Sequence, residues 1–163
     1  MPGDPPDRVA LRFTWTFRDA RFNNELGVIR VDDAAGSIGG IRPGDPRYLS
    51  TAAAAGRMKV VFRSGESAGI RREIHLRGGE QFIVYFVQDR STAVALARNA
   101  ANRPGRTPRI FFAEPAANPD RSEHVRVADR DGVLTLAWED LLGGGDRDFN
   151  DMVLTIRAIR LGR

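Results

Sequence analysis

Alternation with period two dominates this chain. Val9, Leu11, Phe13, Trp15 and Phe17 fall on one side of a segment whose other side carries Arg12, Thr14, Thr16 and Arg18, the pattern of a strand with one buried face. Further β-like runs follow at 26–32, 58–63, 70–76, 81–88, 109–114, 124–128, 133–139 and 152–159. Turn residues separate most of them, among them Gly36, Gly39-Gly40, Pro43-Gly44-Asp45-Pro46, Gly78-Gly79 and Asp131-Gly132. Many short strands divided by turns predict an all-β sandwich or jelly roll. Two alanine-rich stretches, 48–55 and 92–102, depart from the pattern and read as short helices on connections. The proline-rich residues 1–7 read as a flexible lead-in, which leaves 8–163 as a single domain.

Composition narrows the function classes. A chain of 163 residues with 42% hydrophobic content can bury a full core, and the absence of cysteine removes disulfides, thiol catalysis and cysteine zinc sites. The 25 basic against 21 acidic residues give a formal +4, but only Lys59 is lysine and the arginines are scattered among acids, as in Arg18-Asp19 and Asp129-Arg130-Asp131. A phosphate-binding surface shows in sequence as a cluster or stripe, so no nucleic-acid partner is expected. No apolar run approaches the ~18 residues of a membrane span, and Met1-Pro-Gly-Asp-Pro-Pro-Asp lacks an apolar signal core.

Candidate chemistry is concentrated near the end of the chain. From Glu139 to Asp151 there are five carboxylates (Glu139, Asp140, Asp146, Asp148 and Asp151) and one side-chain amide, Asn150, around the triple glycine 143–145. Like charges at this density repel and raise one another's pKa unless a cation sits among the oxygens. Calcium suits such a set, since it takes 6–8 oxygen ligands at irregular angles. Asp146, Asp148 and Asn150 alternate, so an extended or gently curved loop would point them the same way and Arg147 and Phe149 the other. The glycines let Glu139 and Asp140 approach the same point.

Competing readings of this segment are a solvated polar turn, an EF-hand and an RTX-type repeat. Asp151 stands where an EF-hand loop needs glycine, and one Gly-Gly-Asp copy cannot build a stacked β-helix. Asn24 and Glu25 are further candidate ligands if the first and last strands lie close together, with a turn and strand cap as the alternative. His75 and His124 have no partner at zinc spacing and read as structural or exposed. No nucleophile elbow, P-loop or dinucleotide fingerprint is present. Glu139 and Asp140, adjacent on a predicted strand, would face opposite sides and could not flank one glycosidic bond, so no enzyme is expected.

The block Trp138 to Val153 resembles the signature of the bacterial domain-of-unknown-function family 4114, with Glu139-Asp140-Leu141, the three glycines and Asp146-Arg147-Asp148-Phe149-Asn150-Asp151 leading into a final strand. Earlier blocks, Asn24 to Val28 with Val31-Asp32-Asp33, Pro43-Gly44-Asp45 with Tyr48, and Ala117 to Asp120 with His124-Val125, extend the resemblance over about residues 13–160. It implies an extracellular, calcium-loaded β-sandwich taken from a large secreted or surface-anchored bacterial protein, adhesin-like ones included. The loop Asp146 to Asp151 is also similar to the calcium loop of small bacterial fucose- and mannose-binding lectins, where paired ions hold sugar hydroxyls. Those lectins use a C-terminal glycine carboxylate from a neighbouring subunit, and this chain instead continues through Leu161-Gly162-Arg163.

The resulting expectation is a module of a larger or processed protein that binds one or two Ca2+ ions and acts in adhesion or in recognition of a glycan or peptide. The alternatives are a structural spacer rigidified by calcium and a polysaccharide-binding accessory domain of an enzyme.

Overall fold

The computed structural model describes residues 8–160, so the lead-in 1–7 lies outside the described residues. Nine strands form: β1 (Val9–Phe17), β2 (Glu25–Val31), β3 (Met58–Phe62), β4 (Arg71–Leu76), β5 (Gln81–Val87), β6 (Ile110–Phe112), β7 (Val125–Arg130), β8 (Val133–Trp138) and β9 (Met152–Arg160). Two short helices, α1 (Tyr48–Ala54) and α2 (Thr92–Asn99), stand on connections within the alanine-rich stretches. The strands pair antiparallel throughout, in a five-stranded sheet of order β4-β1-β9-β8-β7 and a four-stranded sheet of order β3-β2-β5-β6. The fold is an all-β sandwich.

Between the sheets lies a core built from the inward positions the alternation predicts. Phe13 and Trp15 of β1, Leu136 and Trp138 of β8, and Met152, Leu154 and Ile156 of β9 meet Leu26, Val28, Phe62, Phe86 and Phe111 of the other sheet. Trp138 stacks on Phe86 with ring centroids 5.1 Å apart. Burying aromatic side chains of this size contributes the largest apolar areas available to the fold.

The helices do more than connect. Tyr48, Leu49 and Ala52 of α1 and Ala95 of α2 pack with Ile29, Val31, Tyr85, Val87, Ile110 and Phe112 in a second core on the outer side of the four-stranded sheet. This explains why β2 and the end of β5 read as continuous apolar runs, since both of their faces are covered. Tyr85 crosses directly over Gly27, its partner in register, and a Cβ there would come within 2.3 Å of the ring. The outer side of the five-stranded sheet has no such cover from the helices.

One expectation fails at the end of β1. Phe17 is 50% exposed, because the register shifts between Trp15 and Phe17 and sets Phe17 opposite Val153, an outward position of β9. A β-bulge of this kind breaks the period-two count, so the residue after it leaves the core side. The Trp15 indole donates to the Phe17 carbonyl at 3.0 Å and holds the bulge.

Candidate metal centre

The acidic segment connects β8 to β9, which are neighbours in the five-stranded sheet, so its two ends are pinned by a ladder. Strand β8 ends at Trp138, one residue earlier than the pattern predicts. Glu139 and Asp140 therefore lie beyond the ladder and are not held to opposite faces. Oxygens of Glu139, Asp140 and Asp151 come within 4.8 Å of one another, and oxygens of Glu139, Asp146 and Asp148 form a second such group. The expectation that Glu139 and Asp140 point apart is thus corrected: strand alternation stops where the strand stops.

Tight turns build the second group. Gly143, Gly144 and Gly145 take left-handed φ values of 73°, 83° and 49°, and Arg147 and Phe149 follow at 60° and 56°. The loop coils more tightly than the extended or gently curved path expected. Alternate side chains still separate: Asp146 and Asp148 turn toward Glu139, while Phe149 is buried under the Arg126 guanidinium at 4.0 Å. The Asp148 N–H donates to Asp146 and the Asn150 N–H to Asp148, with the Asn150 amide also donating to Asp148 at 2.6 Å. Gly145, at φ 49°, lies so close to Glu139 that a Cβ would stand 2.3 Å from its Oε1. Glycine is required there by close approach as well as by backbone conformation.

Contacts from distant parts of the chain fix the inner group. Asn24 donates its amide to Asp140 at 2.7 Å and accepts the Asp89 N–H, so it braces a carboxylate from the opposite sheet. The Gln88 amide donates to the Asp140 carbonyl at 2.7 Å, and the Asp140 N–H donates to Asp151 at 2.7 Å. His124 is fully buried, stacks on Phe111 at 3.7 Å, and spans the Glu139 carbonyl on one ring nitrogen and the Asp120 carboxylate on the other. Asp120 also accepts the Gly143 N–H at 2.6 Å, which ties the glycine turn to the same brace. Burial works to raise the Asp120 carboxyl, but hydrogen bonds from Gly143, Ser122 and His124 hold it below its ordinary value.

Glu25 goes elsewhere. Its carboxylate accepts the Thr92 N–H at 2.7 Å and the Thr92 hydroxyl at 2.5 Å, and the Tyr85 hydroxyl bonds to the same threonine. It therefore belongs to the start of α2 and to neither acidic group. Of the eight residues singled out in the sequence, Glu139, Asp140, Asp146, Asp148 and Asp151 converge, Asn150 and Asn24 bond to members of the cluster, and Glu25 is turned away. Gln88, Asp120 and His124 complete the support; Asp120 and His124 stand in a block of the family resemblance, but their bonds to Gly143 and Glu139, and that of Gln88 to Asp140, join parts of the chain that the sequence does not show as neighbours.

Electrostatically the cluster is unbalanced. Among the described residues, no arginine or lysine forms an ion pair with any of the five carboxylates. Glu139 is 2% exposed, and its Oε2 has no hydrogen-bond partner. Burial, followed by Asp151, Asp146 and Asp140, pushes Glu139 up to about 7. Burial also raises Asp140, to about 6, with the Asn24 bond opposing and Asp151 adding to the rise. Asp151 is raised by burial in the same way. A buried oxygen without a donor, at the junction of two carboxylate groups, suits a hard cation that takes oxygen ligands.

No curated protein and no solved structure matches this chain. The family model described as Domain of unknown function (DUF4114) matches residues 76–158, just over half of the chain, and includes the whole acidic segment. This chain belongs to that family.

Proposed function

We propose that this chain is a non-catalytic, calcium-binding module of a bacterial surface or secreted protein, acting in adhesion or ligand recognition. The observation that carries the reading is the buried, unpartnered Oε2 of Glu139 among five carboxylates that have no basic partner among the described residues. Leaving such a group unsatisfied costs free energy, and a divalent cation removes both the unpaired oxygen and the mutual repulsion. Oxygen-only donors at irregular positions favour calcium over zinc, which prefers nitrogen and sulfur, and over magnesium, which demands near-octahedral order. Glu139, Asp140 and Asp151 would form the inner ligand set, and Glu139, Asp146 and Asp148 an outer one, giving room for one ion or two.

Two uses of the cation remain in play, each with its own support. The exposed Asp146 and Asp148 favour recognition, because an ion held there keeps open positions for the oxygens of a glycan or peptide. The burial of Glu139 and Asp140 favours a spacer role, in which the ion only locks the last loop to the sandwich. Thermal melts with calcium and with EDTA test the shared premise. At calcium about 100-fold above Kd the bound state gains about 2.7 kcal/mol, roughly 5–10 °C for a chain of this size. An unchanged melting temperature in EDTA would overturn the site. A glycan array read in calcium and again in EDTA then separates recognition from spacing.

A further inference from the structure

The arginines that look scattered in the sequence are gathered by the sheet register. On the uncovered side of the five-stranded sheet, one row crosses the strands as Glu73, Arg12, Arg157, Val133 and Arg130. The next row begins with Arg71 and continues through Thr14, Thr155 and Thr135. A third runs from Phe17 through Val153 and Ala137 to Arg126. Strands in a sheet lie ~4.8 Å apart, so these rows place charge, hydroxyl and aromatic groups on one continuous surface.

Most of the positive charge on this surface is unpaired among the described residues. Arg12 pairs with Glu73 at 2.7 Å, but Arg71, Arg130 and Arg157 are exposed and form no ion pair among the described residues. Arg12 and Arg157 stand directly opposite each other in register, an arrangement that destabilises a bare sheet. Arg126 is fixed over Phe149, its guanidinium 4.0 Å from the ring centre. The threonine row between the arginine rows supplies hydroxyl donors and acceptors, and Phe17 offers a half-exposed ring at the end of the third row.

We propose that this open face is a docking surface for a linear anionic polysaccharide, its carboxylate or sulfate groups held by Arg12, Arg157, Arg130 and Arg71 and its hydroxyls by the threonine row. Charge complementarity selects an acidic partner. Duplex DNA is read by elements that enter a groove, and single strands by successive stacked aromatics. A flat face with one exposed ring offers neither. The third row ends at Arg126, against Phe149 of the acidic loop, but Arg12, Arg157, Arg130 and Arg71 lie in the first two rows, and the proposal does not rest on the calcium reading.

The test is binding of chondroitin sulfate to the whole chain, measured beside uncharged dextran and duplex DNA over a salt series. The expected result is binding to chondroitin sulfate that weakens with salt, none to dextran, and weaker binding to DNA. The double variant Arg130→Glu/Arg157→Glu should lose at least about tenfold in affinity, whereas Arg42→Glu/Arg98→Glu, with the same charge change away from this face, should keep it. If the first pair fails to fold by its melting curve, Arg130→Gln/Arg157→Gln serves in its place. Binding to chondroitin sulfate should be the same in calcium and in EDTA, which keeps this result distinct from that of the calcium site. The proposal is overturned by no binding to chondroitin sulfate, by equal loss in both charge-reversed pairs, or by equal affinity for DNA.

Discussion

Glu139 holds the candidate site together because it belongs to both acidic groups and keeps one oxygen without a donor. Replacing it with glutamine removes a charge that its neighbours oppose. Glu139→Gln should therefore melt no lower than the parent in EDTA and gain little or nothing when calcium is added, a pair of curves that differential scanning calorimetry distinguishes. Gly145 is the second critical residue, since any Cβ strikes the Glu139 carboxylate and its φ of 49° disfavours other residues. Gly145→Ala should cost about 1–3 kcal/mol of stability and weaken calcium binding at least tenfold, as read by titration calorimetry. The run of acids and the glycine triplet are visible in the sequence. Which single oxygen is left without a donor is not, because the side chains that reach this segment from elsewhere, Asn24, Gln88 and His124, bond to Asp140 and to the Glu139 backbone and leave the Glu139 carboxylate without one of their donors.

At the scale of elements, the acidic loop and α2 make use of neighbouring residues in different ways. Asn24 reaches across to Asp140, while Glu25, one position on, accepts two hydrogen bonds from Thr92 in the first turn of α2. Glu25→Ala should cost about 1–3 kcal/mol through the lost cap and the unpaired buried donors, with calcium affinity unchanged; a matching fall in affinity would instead make Glu25 part of the site. Strand positions and both helix positions are legible from periodicity and turn residues, as the close agreement for β1, β3, β8, α1 and α2 attests. What α1 and α2 cover is not legible, since the periodicity of a short helix shows at most which face it buries, not which sheet that face meets.

Across the whole molecule, the raised carboxyls set how stability varies with pH. Glu139 moves from 4.5 to about 7 and Asp140 from 3.8 to about 6, so the folded chain without metal binds these protons more tightly than the unfolded chain. Their contribution is fully present below about pH 4 and is lost as the pH rises through 6 to 7. Melting temperature in EDTA should fall across that window. Calcium, which binds the deprotonated oxygens, should reverse the trend, so that its stabilising effect grows toward neutral pH; parallel melt curves with and without calcium from pH 4 to 8 would contradict the site. The period-two pattern, the turn residues and the concentration of acids by themselves determine an all-β chain with a candidate cation loop, because strand alternation and local charge density are properties of neighbouring residues. Only the tertiary structure decides that Asn24 joins the site and Glu25 does not, that Phe17 leaves the core, and that scattered arginines share one open face. Each of these depends on strand register and sheet order, which bring together residues tens to more than a hundred positions apart.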